Sequence, residues 1–358
     1  YQALYSQNGT AEAMANTGLG YNTGYYNVTG RYNTYIGYLT GVGASGESNS
    51  YNTSVGAESM KAITDGQANV AVGYSVMAAE TGGGDNTAIG QKTLLALTNS
   101  TRNTVVGASA MRLMDDTADG LADCTVVGAQ AFQGSATATT TGANGTTAIG
   151  AFALQDLTTG TGNTAVGYNS NKENTSGGYN TSIGHHTMLV HDGGLRNVAI
   201  GAFAMDDTDA GSVSKASDDN VFIGYSAGGG TWANQDNSNC IGIGTSALGG
   251  ALAGNTADGT IAIGTEALVS LSSGEGNLAI GYSAADSITN GNFNVAIGYE
   301  SLITEDAGSS NTAIGYKTLR SLNNDTGLNT AVGAQAGLSM TTGYLNTLIG
   351  NDAGKLLT

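Results

Sequence analysis

The chain has 358 residues, 57 of them glycine and none proline, and only 11% are charged. Its 11 basic against 28 acidic residues give a net charge of -17, a field that repels phosphate backbones and anionic lipid, so nucleic acid and membrane surfaces are poor partners. No apolar run approaches the roughly 18 residues that cross a bilayer and no signal peptide stands out, so membrane insertion is not expected in this segment.

The chain opens on Tyr1-Gln2-Ala3-Leu4, which fits the positions just after the glycine of a repeat, so it reads as a piece of a longer fibre that begins in mid-repeat. From there Asn-Thr-Ala-Ile-Gly or a near copy recurs nineteen times, its closing glycine falling at Gly20, Gly37, Gly56, Gly73, Gly90 and Gly107 and so on to Gly350. Eleven of the eighteen intervals are 17 residues, one is 18, and six run from 19 to 23. A unit this short cannot enclose a core alone and must stack on its neighbours, the mark of a solenoid. The prediction is an all-β parallel β-solenoid (β-roll) of about 19 coils with a 17-residue repeat, one repeat domain over 1–358. At about 4.8 Å per coil that gives a rod of roughly 90 Å.

Within each repeat the residue before the glycine is aliphatic throughout (Ile36, Val55, Val72, Ile89 and on to Ile349) and reads as an inward core ladder. Thr34, Thr53, Thr87 and Thr104, two residues earlier, share its parity and are expected to point inward too. The residue between them, Ala71, Ala88, Ala148, Ala296 and others, should then point outward, and so small an outward column suggests a partner chain packed close against it. After the glycine, Tyr-x-Ala-Leu, with Ala110, Ala131, Ala153 and Ala204 followed by Met111, Phe132, Leu154 and Met205, reads as a second short strand. Cys124 and Cys240 stand in the column of the motif asparagine, six coils apart and out of reach of an intrachain disulfide.

Longer loops are expected at 112–123, 133–145, 206–219, 229–238 and 249–259. Solenoid insertions gather on one side and often carry binding surfaces. Their Asp115, Asp116, Asp119, Asp206, Asp207, Asp209, Asp218 and Asp219 raise calcium as a weak alternative to a solvated acidic turn, without either of the usual calcium-loop patterns. Trp232 lies in one loop, where it either stacks on a sugar or tucks against its own coil. Tyrosine recurs after the motif glycine, as at Tyr282, Tyr299 and Tyr316, and stacked rings there serve packing or, as a weaker reading, glycan or receptor contact. His185, His186 and His191 fall in one coil as weak metal candidates, although adjacent residues of a strand face opposite sides. No catalytic constellation stands out, no cofactor is implied, and Gly41-Val42-Gly43-Ala44-Ser45-Gly46 matches a dinucleotide fingerprint by letter with no helix after it. The expectation is a protein that is not an enzyme.

Asn311 to Leu319, Asn-Thr-Ala-Ile-Gly-Tyr-Lys-Thr-Leu, resembles the tandem repeats in shafts of phage tail fibres of the endosialidase-chaperone type. Its Asn-Val-Ala-Ile-Gly form, at Asn197 to Gly201 and Asn294 to Gly298, is similar to the head repeat of YadA-like trimeric autotransporter adhesins, whose period is shorter. The resemblance implies a left-handed β-roll assembled as a homotrimer: an extracellular structural or adhesive fibre segment, on a virion tail fibre or a cell surface, that positions a tip or meets a host-surface glycan or protein receptor. A bacterial adhesin head is one alternative and a monomeric ice- or lattice-binding β-solenoid another. The inward parity read for the threonines counts against the latter.

Overall fold

The structure is a computed structural model that describes residues 2–8, 14–114, 120–135, 142–208, 217–232, 236–252 and 257–357. Two compact units divide the chain, Tyr1–Tyr179 and Asn180–Thr358. The first carries β1 (Thr17–Leu19), β2 (Thr34–Ile36), β3 (Thr53–Val55), β4 (Val70–Val72), β5 (Thr87–Ile89), β6 (Thr104–Val106), β7 (Thr125–Val127), β8 (Thr147–Ile149) and β9 (Thr164–Val166). The second carries β10 (Thr181–Ile183), β11 (Val198–Ile200), β12 (Val221–Ile223), β13 (Ile241–Ile243), β14 (Ile261–Ile263), β15 (Leu278–Ile280), β16 (Val295–Ile297), β17 (Thr312–Ile314), β18 (Thr330–Val332) and β19 (Thr347–Ile349). Inside each unit every strand pairs parallel and in register with the next, Thr87 with Thr104 and Ile89 with Val106 for example, so the chain is a β-solenoid with one three-residue strand per coil.

The motif glycine is fixed by how closely coils approach. Its φ lies between +130° at Gly56 and +149° at Gly184 in every coil before the last, and a Cβ added at Gly73 would collide with the carbonyl oxygen of Gly90. No side chain fits between successive coils at this corner. The motif asparagine supplies the complementary bond. Asn69 N–H donates to Asn52 Oδ1 (2.9 Å) and Asn86 N–H to Asn69 Oδ1 (3.0 Å), while each Nδ2 donates to a carbonyl of the coil ahead, as from Asn69 to Gly83 (2.8 Å). These amides are buried, and the ladder satisfies them without water. Asn52, which begins an Asn-x-Ser sequon, is among them and closed to modification.

The strand parity is the reverse of the sequence expectation. Ala71, Ala88, Ala148, Ala199, Ala262 and Ala296 are fully buried, whereas Ile89 is 40% exposed and Val127, Ile149 and Ile183 are 38% exposed. Thr53, Thr104 and Thr125 are exposed as well. The reason is the narrow coil interior. The turn after the glycine sends Met60, Met77, Leu94, Met111, Phe132 and Leu154 across it, and the strand residue facing them is short, Ala or Ser in most coils and Val105 and Val126 in two. Where the strand carries a large ring, its neighbours shrink: Tyr35 lies against Gly24 and Gly41 of the opposing turns, and Phe222 against Gly228 of the opposing turn and Gly242 in the next strand. The outward alanines that suggested a close partner chain therefore do not exist.

The segment Tyr-x-Ala-Leu is a turn and not a second strand. Residues x and Leu or Met hold left-handed dihedrals, φ 58° at Ser109 and 47° at Met111, φ 60° at Phe152 and 49° at Leu154. Their amides still bond the neighbouring coils: Ser109 N–H donates back to Gln91 O (2.8 Å) and Met111 N–H forward to Ala131 O (3.2 Å). Stacking on both sides holds a conformation that a lone bulky residue seldom adopts.

Candidate interaction face

Because Ala points in, two columns point out from every strand, one at the Thr position and one before the glycine. Flanking columns on either side complete the surface, and its chemistry changes along the chain. In β2 to β9 the first column is Thr in every strand but β4, which has Val70, and the second is Ile or Val. In β11 to β16 both columns are aliphatic: Val198 and Ile200, Val221 and Ile223, Ile241 and Ile243, Ile261 and Ile263, Leu278 and Ile280, Val295 and Ile297. All twelve are only partly buried, each sheltered by its neighbours in the ladder.

Beside the second column stand the tyrosines that follow the glycine. Tyr282, Tyr299 and Tyr316 are exposed and stack at 5.2 and 5.7 Å, with the Lys317 ammonium 5.1 Å from the Tyr316 ring and Glu300 bridging Lys317 (3.6 Å) and Arg320 (2.7 Å). Tyr21 and Tyr38 stack in the same way at 5.4 Å. Stacking occupies the ring faces that a sugar would use, leaving mostly edges and phenol groups to a ligand. The column before the asparagine forms the other border. Tyr32 stacks on Tyr51, while Arg102 pairs with Asp123 (2.7 and 2.9 Å) and Arg196 with Asp219 (2.6 and 2.8 Å), each carboxyl held below its usual range first by the guanidinium hydrogen bond.

The remaining candidates separate. Trp232 is fully buried edge-on against Phe222 (5.5 Å), so it meets its own coil and not a sugar. His185 and His186 lie in the left-handed turn and not on a strand, so their rings share one side and stack at 4.0 Å, contrary to the expectation of opposite faces. His191 is inside, between Thr208 Oγ1 on Nδ1 (2.7 Å) and Asn197 Nδ2 on Nε2 (3.1 Å), and burial pushes its pKa down to about 4 against a weaker opposing pull from Asp192. The three histidines thus do not converge, and among the described residues no group of three or more His, Cys, Asp or Glu is placed to hold a metal.

Of the loop aspartates, Asp115, Asp116, Asp119 and Asp209 lie outside the described residues. Asp207 accepts from Thr231 (2.6 Å) and Asp218 from Leu195 N–H (2.8 Å), while half-burial, then Asp207, raises Asp206 to about 6. Cys124 and Cys240 are free buried thiols whose N–H groups take the Asn103 and Asn220 carbonyl oxygens as an asparagine would, and burial raises them to about 11 and about 12. Among the described residues no helix is long and apolar enough to cross a membrane. Neither a protein-family model nor a curated protein matches the chain.

Proposed function

We propose that this chain is a structural and adhesive segment of an extracellular fibre, of the phage tail-fibre shaft or receptor-binding kind, assembled from three copies. The observation that carries the reading is the aliphatic stretch β11 to β16, twelve partly exposed Val, Leu and Ile side chains with no charge between them. Six strands at about 4.8 Å and a width of about 15 Å give the aliphatic stretch a face of roughly 430 Å², within the size of apolar patch that marks an interaction site. Hydrophobic contact between copies covers that face, and the scarcity of charge elsewhere suits a repetitive shaft more than a free-standing globule. The stacked tyrosines beside it, Tyr282, Tyr299 and Tyr316, are the edge at which a receptor glycan or protein would meet the fibre.

Light scattering tests the assembly. The native mass at micromolar protein is expected at three times 35.7 kDa, and Ile243→Asp with Ile263→Asp is expected to reduce it to one chain with the β-rich circular dichroism retained. A wild-type mass of 35.7 kDa would overturn the reading.

A further inference from the structure

The Thr-bearing face of the first unit differs chemically from the aliphatic face of the second, and the difference calls for a different occupant. Across β2 to β9 the outward hydroxyls lie in a single column, one per strand except at Val70 of β4 and unbroken from β5 to β9, and among the described residues none of the seven threonines there donates its hydroxyl to a protein group. Beside each stands the partly exposed methyl surface of an Ile or Val. On one flank of β6 to β8 the next column is only Ala108, Ala129 and Ala151, which leaves a flat approach, and on the other Arg102 and Asp123 neutralise each other. The geometry points to this face as a binding surface for an ordered water lattice, that is, for ice.

Spacing carries the argument. Hydrogen bonds of about 2.75 Å in a tetrahedral network place second-neighbour oxygens roughly 4.5 Å apart and the perpendicular repeat roughly 7.3 Å. Parallel strands place successive Thr hydroxyls about 4.8 Å apart, and the Thr and aliphatic columns lie roughly 6.6 Å apart. Along the column the mismatch is roughly 0.3 Å per step, so a run of four strands stays within about 1 Å of register, inside the reach of hydroxyl rotation. Across the strand a single step is bridged and no error accumulates. The rows of methyl groups favour the arrangement further, because water beside apolar surface is already restricted in orientation. The aliphatic columns of β11 to β16 offer no such hydroxyl array, and Thr312, Thr330 and Thr347 of β17 to β19 make a run of only three, against five from β5 to β9, so the longer array is that of the first unit.

The test is ice growth in the presence of the full chain. The wild-type protein is expected to show thermal hysteresis and to shape ice crystals at micromolar concentration. Thr104→Lys with Thr147→Lys, two outward positions two strands apart, is expected to abolish both with the melting curve and circular dichroism unchanged. Should that variant misfold, Thr104→Ser with Thr147→Ser, which removes only the methyl groups, is expected to lower the hysteresis at least twofold in a folded chain. Asn290→Lys, at an exposed turn of the second unit outside both strand faces, is expected to leave it unaltered. Wild-type protein without hysteresis overturns the inference, as does equal loss in the Asn290 variant or full activity in the folded lysine variant. Native mass is read on the same samples, so the ice result and the assembly result fail separately.

Discussion

At Ala296 and Ile297, adjacent in β16, the molecule separates inside from outside by one residue. Aspartate at 296 would bury a charge beneath the opposing leucine column, at a cost of several kcal/mol. Aspartate at 297 stands at the surface and is expected to cost the fold about 1 kcal/mol or less while weakening assembly. Denaturant melts of the two variants check this, and equal loss of folding at both sites would restore the inward aliphatic ladder that the sequence suggests. The parity was legible in one respect: an outward column seldom stays alanine, and Asn and Ala, two apart, are both buried. It was misread because an unbroken aliphatic column normally marks a core, and only the width of the coil, set by Met111 and its equivalents on the opposite wall, decides against it.

Among the elements, the corner seven residues beyond the motif glycine shows how one position is filled in different ways. Leu97, Leu157 and Leu271 are buried there, while Glu80 and Glu305 each accept the amide three residues on (2.8 Å), at Gly83 and Gly308. His191 occupies the same corner. Its folded pKa of about 4 lies below the unfolded value of about 6.5, so its contribution to stability is complete above pH 6.5 and is lost as pH falls toward 4, by at most roughly 3 kcal/mol. Asp206, raised to about 6, works in the opposite sense and favours the fold as pH falls. The histidine is therefore isolated by difference: His191→Leu, which places at this corner the residue that fills it in other coils, is expected to flatten the decline in stability between pH 7 and 4 relative to wild type. Parallel slopes in urea melts would show that His191 is not neutral in the fold. Neither this corner nor the left-handed turns at Ser109 and Met111 could be read from the sequence, since bulky residues rarely take that conformation without neighbours on both sides. The glycine and asparagine ladders could, because one lacks room for any side chain and the other binds the next coil with both ends of its amide.

For the whole chain, stability is expected to be a sum of nearest-neighbour terms, since each strand bonds only the strand before it and the one after. A defect should then open the coils beside it and leave distant ones closed, unlike the all-or-none loss of a small globular domain. Ala279→Asp, in the fully buried column of β15, supplies such a defect. Hydrogen exchange read by mass spectrometry is expected to show lost protection across β14 to β16, fading within a few coils, while the amides of β3 to β6 in the first unit exchange as in wild type. The Asn ladder there, from Asn52 through Asn103, contributes bonds that do not depend on the second unit. Loss of protection throughout the chain at one rate would mean that the coils fold as a single cooperative body, and the one-dimensional account of this solenoid would fall.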